Sequence, residues 1–101
     1  AGTHDPAEIK EAIDVLQQAT AVEPDNAYAW EELATAYDAT HQDGMARLAS
    51  AEKSFALGDY SLALNFAQRA KKALPEGSTS WRRASGIALV AETESHGRDR
   101  S

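Results

Sequence analysis

The 101-residue chain has no cysteine, only three prolines, one methionine and six glycines. Without cysteine there can be no disulfide framework, thiolate metal site or cysteine nucleophile, although a periplasmic helical domain needs no disulfide either. The three glycines Gly44, Gly58 and Gly77 each fit a turn, and no glycine-rich phosphate loop can be read. No apolar run approaches the roughly 18 residues of a membrane span, and the N-terminus lacks a signal-peptide pattern. The expectation is a soluble fragment or a mature chain. β-Branched runs are scarce too, while alanine occurs 21 times, so intrinsic propensity favours helix over strand almost throughout.

What is present fits one modest globular domain: 43% of residues are hydrophobic and 26% charged. A chain of this size buries roughly two-thirds of its unfolded surface, which leaves little room for an enclosed substrate cavity and directs function to the surface. The net charge of −6 is divided unevenly. Residues 1–43 hold ten acids against Lys10 alone, and residues 44–101 hold six acids against nine Lys and Arg. An acidic, strongly dipolar chain without a basic face and its aromatic platforms is not expected to bind nucleic acid.

Five helical segments follow from the 3.6-residue period and its stop signals. The first opens at Asp5-Pro6-Ala7-Glu8, where Asp5 can cap and Pro6 suits the first helical position. Its stripe is Ile9, Ala12, Ile13, Leu16 and Ala19, and it ends before Pro24. The second starts after Asp25-Asn26, carries Trp30, Leu33, Ala34 and Tyr37 on one face, and stops at His41-Gln42-Asp43-Gly44. A third runs from about Met45 to Leu57, with Met45, Leu48, Ala49, Glu52, Phe55 and Ala56 at helical spacing. Asp59 caps a fourth with Ala63, Phe66, Ala67, Ala70 and Leu74 before Pro75. A fifth holds Trp81, Ala84, Ile87, Ala88 and Ala91. Residues 5–92 form the expected helical domain, with residues 1–4 and 93–101 as disordered ends.

An internal repeat lies at an offset of 51 residues: Ala12, Gln17, Ala19, Pro24 and Trp30 recur as Ala63, Gln68, Ala70, Pro75 and Trp81. With these residues in view, Trp30-x-x-Leu33-Ala34-x-x-Tyr37 resembles the first-helix signature of a tetratricopeptide repeat (TPR). Ala12, Leu16, Ala19 and Pro24, and again Ala63, Ala67, Ala70 and Pro75, resemble the second-helix signature, and Gly58-Asp59-Tyr60 the turn between paired helices. The offset of 51 is one and a half times the usual period of about 34, so the middle helix must serve both neighbours. In the second copy Ala84, Ser85 and Ala88 stand where Leu33, Ala34 and Tyr37 stood, which reads as a capping helix. The resemblance implies an all-α, antiparallel helical solenoid of about five helices.

The order of segments, from the Trp30 helix through Asp43-Gly44-Met45-Ala46 and Phe55-Ala56-Leu57-Gly58-Asp59-Tyr60 to Leu74-Pro75-Glu76-Gly77-Ser78 and Trp81, is similar to the C-terminal TPR region of BepA-like bacterial zinc metallopeptidases. That resemblance implies a regulatory or substrate-docking module on the periplasmic side of the cell envelope, with zinc confined to an upstream catalytic domain and membrane contact only through the parent protein. A non-enzymatic adaptor, periplasmic or cytoplasmic, is the alternative. These residues themselves are expected to carry no catalysis and no cofactor. His4, His41 and His96 are isolated, no H-E-x-x-H is present, and the pairs Glu31-Glu32 and Glu8-Glu11 read as solvated faces.

If the solenoid curves as such arrays do, Tyr28, Glu31, Thr35 and Asp38 point from the second helix into an acidic groove suited to a basic or neutral peptide. The Lys and Asn residues by which chaperone-binding TPR domains clamp a C-terminal carboxylate are missing. Arg69, Lys72, Arg82 and Arg83, with Lys71 beside them, form an opposite basic pole, either complementing helix ends or docking an acidic partner.

Overall fold

The computed structural model describes residues 5–99. Residues 1–4, with His4, and residues 100–101 lie outside the described residues. The chain folds into α1 (Pro6–Val22), α2 (Ala27–Ala39), α3 (Asp43–Ala56), α4 (Tyr60–Ala73) and α5 (Thr79–Asp99), with no strand among the described residues. The expected all-α fold of five helices is what forms.

Local chemistry sets the boundaries. The carboxylate of Asp5 accepts from the Ala7 amide at 3.0 Å, with Pro6 in the first helical position. Asp59 Oδ1 accepts from Leu62 N at 3.2 Å, so the expected cap of α4 operates, and Asn26 Oδ1 caps α2 by accepting from Ala29 N at 3.0 Å. Ser78 Oγ accepts from Trp81 N at 3.2 Å at the start of α5. Gly58 (φ 77°) and Gly77 (φ 82°) take left-handed turn conformations that a side chain would strain.

Two boundaries move. Gly44 is not a turn residue: it lies buried in the first turn of α3, where an added Cβ would stand 2.8 Å from Leu74 Cδ2. The reversal before it is made instead by His41, at φ 59°. At the other end α5 continues past residue 92 to Asp99. No proline interrupts it, and Ser61 Oγ lies 3.2 Å from Ser95 Oγ, close enough to hydrogen-bond. His96 therefore sits on a helix rather than in a loose end.

Consecutive helices pack on one another, α3 also touches α5, and α1 rests on α2 alone. This gives an elongated stack of 49 × 26 × 22 Å, which accords with an antiparallel solenoid. One apolar cluster joins Ile13, Leu33, Tyr37, Ala46 and Ala49 from α1, α2 and α3. A second joins Leu48, Ala51, Ala63, Ala67, Ala70, Ala84, Ile87 and Ala91 from α3, α4 and α5. Met45 packs against both.

The sequence repeat meets unequal surroundings. Ala63 is fully buried because α4 lies between α3 and α5, whereas its counterpart Ala12 is exposed because α1 has a neighbour on one side only. Beside α4, α3 and α5 are joined by an ion pair. Arg83 Nε and Nη2 donate to the two carboxylate oxygens of Glu52 at 2.8 and 2.6 Å, a bidentate fork. Glu52 is 7% exposed, so this carboxylate depends on its one cationic partner.

Ala67→Leu is expected to destabilise the domain by about 1–3 kcal/mol through overpacking. Ala12→Leu should stay within about 0.5 kcal/mol of the parent, as exposed changes do. Urea midpoints check both, and equal losses would contradict the asymmetry. Arg83→Ala, which strands a buried carboxylate, should cost about 1–3 kcal/mol, less than a fully buried pair because the guanidinium is half in water. Arg82→Ala, one residue away and exposed, should be nearly silent, and the double change Glu52→Leu with Arg83→Leu should recover most of the lost stability.

Candidate functional site

Because α1 and α3 each pack on α2 but not on each other, a trough opens over α2 between them. Its volume is about 500 Å³. Gln17, Thr20, Ala21 and Pro24 form one wall, Trp30, Leu33 and Tyr37 the floor, Met45, Leu48, Ala49 and Glu52 the other wall, with Arg83 at the far side. A second depression of about 460 Å³ shares Gln17, Tyr37 and Met45 with it and runs on toward Ile13, Asp14 and Gln42. The hydrogen bond from Gln17 Nε2 to the Tyr37 hydroxyl, at 2.8 Å, lies where the two meet.

Apolar side chains dominate the lining, and its polar groups are already engaged. Trp30 Nε1 donates to the Pro24 carbonyl at 2.9 Å, which fixes the indole across the floor. Thr20 Oγ1 donates to the Gln17 carbonyl at 3.1 Å. Glu52 is held by Arg83, whose own pKa is raised above the usual arginine value, first by the hydrogen bond to Glu52, with burial opposing and the carboxylate charge assisting. A guanidinium pushed upward stays charged across the ordinary pH range. The trough thus offers a fixed apolar surface with a satisfied polar rim, and no nucleophile stands beside a free base in it. Among the described residues no group of three His, Asp or Glu is arranged as a metal site, and no helix is long and apolar enough to cross a membrane.

The expected groove residues lie elsewhere. Tyr28, Glu31, Thr35 and Asp38 are brought together on one exposed face of α2, but that face is opposite the trough. The packing stripe Trp30, Leu33, Tyr37 doubles as the floor, because the gap between α1 and α3 leaves its upper edge open. Tyr28 is 71% exposed, and Glu31 accepts from Lys53 Nζ at 3.0 Å. Thr35 turns its hydroxyl back to the Glu31 carbonyl at 3.2 Å and lines only a shallow depression between α1 and α2. These four form a solvated acidic face.

The basic pole also divides. Arg83 is withdrawn from it by Glu52, to which its Nε and Nη2 both donate. Arg69 stacks toward the Phe66 ring at 6.0 Å, and Lys71 lies 4.9 Å from the centroid of Trp81. Lys72 and Arg82 remain exposed, with no ion-pair partner among the described residues. Sequence places Glu52 on the stripe of α3 and Arg83 in the basic pole, but does not pair them. An acid at a core-facing position of α3 was the available signal, and it called for a buried cation from another helix. Comparison of the chain with known protein families, with curated proteins and with solved structures finds no match in any of the three.

Proposed function

We propose that this chain is a polypeptide-binding module of TPR-like kind, and that the trough between α1 and α3 receives the bound segment. The observation that carries this reading is the open apolar surface laid over α2, with Trp30 held in place by the Pro24 carbonyl, Gln17 bonded to Tyr37 and Glu52 held by Arg83. Its two depressions, about 500 and 460 Å³, are each the size of a site that engulfs a few side chains. The excess of acids over residues 1–43, which include Asp14 at the trough's edge, favours a basic or neutral segment over an acidic one.

The likeness in segment order to the C-terminal region of zinc metallopeptidases supports a docking role beside a protease domain, and the adaptor role is the second reading. An H-E-x-x-H motif encoded upstream of Ala1 in the same gene separates the two.

A displayed peptide library panned on the 101-residue chain is expected to enrich peptides bearing spaced apolar residues with Lys or Arg beside them. Ala21 is exposed on the trough wall, so Ala21→Glu should weaken their binding at least about tenfold, roughly 1.4 kcal/mol, with helicity unchanged. Glu31→Lys, on the opposite face of α2, should leave it within about twofold. Titration calorimetry reads both. Peptides sensitive to Glu31→Lys and indifferent to Ala21→Glu would move the site to the acidic face.

A further inference from the structure

The two ends of the stack are unlike each other. Outward from α1 point Glu8, Glu11, Val15 and Val22, with Val15 60% and Val22 81% exposed. Outward from α5 point Arg82, Gly86, Leu89 and Val90, with Leu89 68% and Val90 45% exposed. Each is an apolar stripe with charge at its N-terminal end, acidic on α1 and basic on α5. A capping helix should turn a polar face outward. Here α5 does not.

The two stripes also share a register. Glu8 and Val15 are seven residues apart, as are Arg82 and Leu89, and seven residues make about two helical turns. Laid parallel, the helices set Glu8 against Arg82 and Val15 against Leu89. Between them Gly86 leaves α5 flat, since even an added Cβ there would meet nothing within 4 Å. Laid antiparallel with Val15 again on Leu89, Glu8 would fall opposite His96 and Glu11 opposite Thr93, and neither would reach Arg82, so charge favours the parallel arrangement.

We propose that the chain stacks head to tail on further copies of itself, the outer face of α1 in one molecule seating on the outer face of α5 in the next. Complementary faces at opposite ends of one molecule cannot satisfy each other within it, and each added copy leaves one of each free, so assembly is open-ended. The contact is one helix against another, about 25 Å long for the 17 residues of α1. Such an interface falls below the roughly 1,200 Å² of standard complexes, which makes it weak, reversible and salt-sensitive. It uses neither wall of the trough and is independent of the peptide-binding reading.

Sedimentation velocity of the 101-residue chain tests this, from about 10 µM to about 1 mM and at low and about 0.5 M salt. The weight-average mass is expected to rise with concentration above the 10.8 kDa of the single chain and to fall back at high salt. Val15→Asp and Leu89→Asp replace exposed residues, so both should stay fully helical by circular dichroism, and each alone should remain monomeric. Mixed one to one they should form a dimer and nothing larger, because each retains one intact face. A mass of 10.8 kDa at every concentration, or a mixture that stays monomeric, overturns the proposal. So does association that survives either substitution alone.

Discussion

Close approach of α3, α4 and α5 is the constraint on which the rest of the molecule depends. It is set by side-chain size: Ala63, Ala67 and Ala70 on α4 are all fully buried, as are Ala51 on α3 and Ala84 and Ala91 on α5. A methyl group removes little apolar surface from water, so this half of the core is held by the number and tightness of its contacts rather than by large individual burials. Thin packing has a geometric result. It lets α3 and α5 touch across α4, and that contact places the Arg83 fork on both oxygens of Glu52.

The other half is built differently. Around α2 the buried residues are larger, with Ile13, Leu33 and Tyr37 at the centre and Trp30 and Leu16 beside them. Bulk on α2 holds α1 and α3 apart, and the space left over is the trough. One chain therefore contains a tight end that is cross-linked by charge and a loose end that keeps apolar surface open to solvent, with α3 common to both.

Much of the fold could be read from sequence because its signals are local. Asn26 and Asp59 cap the helices they precede, and Pro24 and Pro75 follow helix ends, since each acts through a few neighbouring backbone groups. Features made by distant elements were not legible in the same way. Gly44 looks like a turn glycine until Leu74 is seen against it, and Ala12 and Ala63 are equivalent in the repeat but not in burial. The open trough over Trp30, Leu33 and Tyr37 is a feature of the same kind. Periodicity names the packing stripe of α2, but whether that stripe is fully covered depends on how α1 and α3 seat on its large side chains, which spacing along α2 alone does not give.

The single attachment of α1 bears on how the molecule moves. Each other helix has at least two neighbours, whereas undocking α1 breaks one interface and leaves α2 to α5 in contact. Its amides belong to the opening unit of lowest free energy and should exchange with solvent before those of α3 or α4. Since α1 is also a wall of the trough, the width of the trough and the order of the N-terminal helix are one variable, and a ligand of the proposed kind that bridges α1 to α3 would add a contact between these two helices that the fold itself lacks.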